Sequence, residues 1–72
     1  MSNEADPVPA KVEITIYHNI DSEEWVVGDD GGEWDDECFT GDNAEGEARD
    51  DAAHRFTHYK RMGVVEVVQE EM

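Results

Sequence analysis

Residues 11–20, KVEITIYHNI, alternate strictly. Val12, Ile14, Ile16, His18 and Ile20 fall on one side, and Glu13, Thr15 and Tyr17 on the other. A period of two with β-branched enrichment predicts a half-buried strand, with His18 a half-buried histidine on its apolar side. Residues 19–23 carry turn chemistry. EWVV at 24–27 is a second short strand, closed by GDDGG, a hairpin signal of Gly and Asp. EWDDECFT at 33–40 is open between strand and loop. As a strand it sets Glu33, Asp35, Glu37 and Phe39 on one side and Trp34, Asp36, Cys38 and Thr40 on the other, although acids are poor strand formers.

The period then changes. In GDNAEGEARDDAAHRFTHYKRMG, residues 41–63, Ala44, Ala48, Ala52, Phe56 and Tyr59 form a stripe at helical spacing with Arg55 at its edge. Asp42 or Asn43 is placed to cap the start, Glu45 completes a capping box with Asp42, and Gly63 is the stop signal. Acids in the first half and bases in the second complement the helix dipole. VVEVV at 64–68 is a last strand. The expected fold is α+β with the order β-β-β-α-β, a small antiparallel sheet with one helix packed on one face. Residues 1–10, with two prolines and no periodicity, are expected to be a flexible lead-in. Residues 11–69 form a single domain, and 70–72 a polar tail.

The succession of WVV, a Gly-rich turn, FTGDNAEGEARDDA opening an alanine-striped helix, and Gly-VVEVV resembles small HicB-type antitoxin domains and their single-domain relatives over roughly residues 12–68. The resemblance implies the same β-β-β-α-β fold. The acid loading departs from that group, so no partner is carried over from it.

Charge changes the picture most. The 72 residues hold twenty acids against five bases, a formal net charge of −15. Residues 28–51 alone carry eleven acids and one arginine. Such a surface repels nucleic acids and anionic membranes and attracts basic protein surfaces. Two tryptophans, two tyrosines, two phenylalanines and the Val/Ile runs argue for a folded domain despite that charge. There is no signal-peptide pattern and no run near the ~20 apolar residues of a membrane span. One cysteine excludes an intrachain disulfide, which favours a reducing, cytoplasmic setting.

No constellation for catalysis stands out. Cys38 is surrounded by acids, which blunts a thiolate, and is expected to be small and partly buried. His54 and His58 have an i, i+4 spacing that can clamp zinc, but Glu47, Asp50 and Arg61 share their face, and i, i+4 pairs such as Asp50–His54 explain it more simply. The acid runs do not fit the calcium-loop spacing. No Walker loop or GxGxxG occurs. The chain is read as a non-enzyme with no cofactor and no metal.

Fourteen of the twenty acids lie between positions 21 and 51, a concentration that suggests imitation of a nucleic-acid backbone. An extended run at 33–37 would set Glu33, Asp35 and Glu37 ~6.8 Å apart, twice the ~3.4 Å rise per phosphate along one DNA strand. Glu47, Asp50 and Asp51 on the helix, with Asp29, Asp30 and Asp36 around the hairpin, would extend the array, and Trp34 is either an aromatic anchor at its centre or a core residue of the sheet. In size, charge and charge placement the chain resembles the small acidic DNA-mimic inhibitors of phages and mobile elements, such as anti-CRISPR and anti-restriction proteins. That resemblance implies a cytoplasmic inhibitor that occupies the basic groove of a nucleic-acid-binding complex in host-defence evasion, as a monomer or homodimer. The alternative is a halophile-adapted domain, antitoxin-like or otherwise protein-binding, whose acids serve solvation.

Overall fold

A computed structural model describes residues 8–71. Strand β1 (Lys11–Asn19) pairs antiparallel with β2 (Glu24–Asp29), which pairs antiparallel with the short β3 (Glu37–Phe39). Helix α1 (Ala44–Met62) returns the chain across one face, and β4 (Glu66–Glu71) completes the order β3-β2-β1-β4. The α+β class, the element order and the helix on one face are as expected. The sheet itself is mixed, because β4 runs parallel to β1. A helix of 19 residues spans ~28 Å, enough to carry the chain back to the end of the sheet where β1 begins. A strand started there after a crossover runs parallel to β1.

The alternation of β1 becomes its burial: Val12, Ile14 and Ile16 are fully buried beneath Ala48, Ala52 and Tyr59, with Val27 and Val64 completing the core. Alanines at every fourth position let the helix approach the sheet closely. The alternation stops short of its last members. His18 and Ile20 are exposed, and His18 stacks on Trp25, its partner across the ladder, with ring centroids 4.8 Å apart. The half-buried place expected for His18 is therefore corrected: the sheet outruns its cover there.

Both helix ends are defined, though not both as expected. Asn43 stands at the N-cap without a side-chain hydrogen bond, and no capping box forms: with Asn43 rather than Asp42 at the cap, Glu45 comes one position too early, and its carboxylate accepts from Arg49. At the other end Gly63 adopts φ 103°, its N–H bonds to the Lys60 carbonyl and the Val64 N–H bonds to that of Tyr59. That is a Schellman stop, with Val64 and Tyr59 as its apolar contact. Val64 thus belongs to the core cap, Val65 is 80% exposed, and the last strand begins two residues later than expected. It also runs on through Glu70 and Glu71, which pair with Thr15 and Ile16. These two residues leave the expected tail, and Met72 lies outside the described residues. So do residues 1–7 of the expected lead-in.

Candidate functional site

The stretch 33–40, left open between strand and loop by its sequence, is a strand at residues 37–39 and a loop before them. Residues 30–36 form a loop laid against the second half of α1, and the reason is a set of side chains beneath it. Asp29, the last residue of β2, has a side chain that is 0% exposed. Its Oδ2 accepts from Arg55 Nη1 at 2.8 Å. Its Oδ1 accepts from the Tyr59 hydroxyl at 2.6 Å and from the Gly31 N–H at 2.8 Å. Arg55 also donates through Nε to Asp51 Oδ2 at 2.9 Å and through Nη2 to the Asp35 carbonyl at 3.0 Å. The Tyr59 hydroxyl in turn accepts from the Glu33 N–H at 3.2 Å. Loop backbone groups that a longer β3 would have offered to β2 are thus held by two helix side chains. Burial first, and the hydrogen bond to Asp29 next, push the Tyr59 phenol up to about 12.

Trp34 covers this knot. It is half-buried, with its ring 5.6 Å from the Arg55 guanidinium and centroid distances of 4.7 Å to His58 and 5.7 Å to His54. The two histidines flank an indole, and among the described residues no group of three or more metal-ligating side chains occurs. His58 Nε2 lies 3.5 Å from Glu33 Oε1 and makes no hydrogen bond. Gly31 is required where it stands, since a Cβ there would lie 2.4 Å from the Tyr59 ring.

The ten residues expected to form the acidic surface therefore divide. Asp30, Glu33, Asp35, Asp36 and Glu37 are exposed on the loop and on β3, and Glu47 and Asp50 are exposed on α1. Asp29 is withdrawn from that surface, because both of its oxygens are consumed inside. Asp51 is half-buried on Arg55, and Trp34 faces the helix. The row of Glu33, Asp35 and Glu37 along one strand does not form, since only Glu37 is in β3.

Asp30 fastens the start of the loop to β1, exchanging hydrogen bonds with the Glu13 backbone. Asp36 folds over Gly28 on the sheet face that α1 leaves open: a Cβ on Gly28 would lie 2.5 Å from its Oδ1. Between them lies a shallow cavity of about 330 Å³, lined by Glu13, Thr15, Tyr17, Asp30 and Asp36 among others. Cys38 is exposed rather than partly buried. Hydrogen bonding with Glu24 raises its pKa above the ordinary value, and neighbouring carboxylates add to this, so it is a poor nucleophile.

Arg55 and Tyr59 were visible in the sequence only as members of the helix stripe. The one signal of a further role was a charged residue at the edge of an apolar face, which is rare without a partner. Comparison with known proteins finds no matching family model, no matching characterised protein and no matching solved structure.

Proposed function

We propose that the protein is an acidic nucleic-acid mimic that occupies the basic groove of a nucleic-acid-binding protein or complex and blocks it, in the manner of a phage-borne inhibitor of host defence. The observation that carries this reading is the attachment of the loop. Asp30, Glu33, Asp35, Asp36 and Glu37 project from a backbone tied at Gly31, Glu33 and Asp35 to buried helix and strand side chains. Like charges held in advance lose little freedom on meeting a basic groove, and such preorganisation favours binding. Two of the five bases are engaged away from them, Arg55 inside and Arg49 on Glu45 and Glu71. The support is a set of exposed carboxylates on a fastened backbone, not the regular spacing of an extended strand.

The test is displacement of labelled duplex DNA from a panel of proteins with basic DNA-binding grooves. The chain should displace duplex from at least one of them, with an effect that weakens steeply as salt rises. Glu33→Lys/Asp35→Lys/Glu37→Lys should abolish that displacement while leaving the circular dichroism unchanged. Retained displacement by the triple variant would remove the loop from the interface.

A second reading has its own observation. Glu66 and Glu70 lie on the open face of the sheet on β4, at the edge opposite β3 and the loop. Acids on several faces suit solvation in concentrated salt. A chain that melts cooperatively only in molar potassium chloride would favour this reading over mimicry.

A further inference from the structure

The two edges of the sheet are unequal. At one edge β3 offers three residues between an irregular loop and Gly41. At the other, β4 is six residues long, EVVQEE, with no proline and no glycine. Among the described residues no strand lies outside it. The Glu66 N–H bonds inward to the Ala10 carbonyl. In a parallel ladder successive residues alternate between inward and outward, so the N–H and C=O groups of Val67 and Gln69 point away from β1. They form a template for one more strand.

Side chains decide what that strand can be. On the open face β4 presents Glu66, Val68 and Glu70, and on the helix side Val67, Gln69 and Glu71. Every charge on it is negative, and the one nearby base on the open face, Lys11, is engaged by Glu13. A second copy pairing through β4 would bring acids alongside acids, which destabilises a ladder. A segment with basic, apolar and basic residues at alternate positions would instead meet Glu66, Val68 and Glu70 in turn.

We propose that the β4 edge is a docking site for an extended, basic segment of a partner protein, added to the sheet as a fifth strand. The surface is separate from residues 30–37 and stands whether or not that loop imitates nucleic acid.

The experiment uses the full chain, labelled for NMR, and the synthetic peptide Thr-Lys-Thr-Val-Thr-Lys-Thr. The free protein should sediment as a monomer. Peptide binding should slow hydrogen exchange at the Val67 and Gln69 amides, and a peptide N-methylated at alternate residues should not bind. Glu66→Lys/Glu70→Lys should weaken the peptide roughly tenfold and strengthen one carrying Glu for Lys, since two cross-strand charge pairs change sign. A dimer paired through β4 would overturn the proposal. So would shifts confined to residues 30–37, or equal binding of the N-methylated peptide, which marks charge attraction without strand addition. The Val67 and Gln69 exchange and the Glu66→Lys/Glu70→Lys variant do not involve Glu33, Asp35 or Glu37, so failure of this proposal is distinct from failure of the mimic reading.

Discussion

Two arginines on α1 make the same set of contacts at different depths. Arg49 bridges Glu45, four residues back, to Glu71 on β4, with its guanidinium 6.0 Å from the Trp25 ring. Arg55 bridges Asp51, four residues back, to Asp29 on β2, with its guanidinium 5.6 Å from the Trp34 ring. The Arg49 and Glu71 side chains are 42% and 48% exposed, whereas those of Arg55 and Asp29 are 3% and 0% exposed. Water and salt screen the first pair, so it decorates the helix. The second has no water to fall back on, and every donor that leaves it strands a buried charge. Only the deep pair also holds a loop, because only there do spare guanidinium and carboxylate positions reach backbone groups outside regular structure.

The sharpest way to break this comparison is to remove each arginine. Arg55→Met should cost ~3–5 kcal/mol in urea unfolding, since Asp29 is left charged and unpaired in the core. Arg49→Met should leave the urea midpoint close to that of the parent. Equal losses would mean that burial does not separate the two.

The second test is alkaline. The Tyr59 phenol is raised from the usual 10 to about 12 in the fold, so ionisation favours the unfolded chain between those values. Stability should be whole below pH 10 and fall at about 1.4 kcal/mol per pH unit as pH climbs toward 12. Tyr59→Phe should remove that slope, at the cost of the Asp29 and Glu33 hydrogen bonds. A parent whose stability is flat across this range would place the hydroxyl in water.

Glycine replacements give the smallest effects, with opposite signs at the two sites. Gly31→Ala drives a Cβ into the Tyr59 ring and should cost ~1–3 kcal/mol, with a change in tryptophan fluorescence as Trp34 shifts. Gly46, one turn before Arg49, has open space about its Cβ position, and Gly46→Ala should stabilise the helix by ~0.5–1 kcal/mol. A neutral Gly31→Ala would show that the loop is free to lift from α1.

Much of the scaffold was legible because local period encodes it. The alternation of Val12, Ile14 and Ile16 and the stripe of Ala44, Ala48, Ala52 and Tyr59 each name a buried face without reference to anything distant. Gly63 names a helix end for the same reason, since its φ of 103° strains any residue with a Cβ. The candidate site was legible in composition and misplaced in form. Acids at 33, 35 and 37 have the spacing of a strand face. Nothing within a few residues announces that Arg55 will take the Asp35 carbonyl or that Tyr59 will take the Glu33 N–H.

The order of elements, the two-layer packing and the concentration of negative charge thus follow from the sequence by itself, because hydrophobic period and net charge are properties of neighbours along the chain. Tertiary structure alone decided that Asp29 is a buried counter-ion rather than a surface acid, that residues 30–36 are a fastened loop, and that β4 lies parallel to β1 as the acidic edge of the sheet among the described residues. Each of these depends on which groups twenty or more residues apart meet in space. That choice is made by burying charge only where a partner is at hand and by the path the helix leaves for the returning chain.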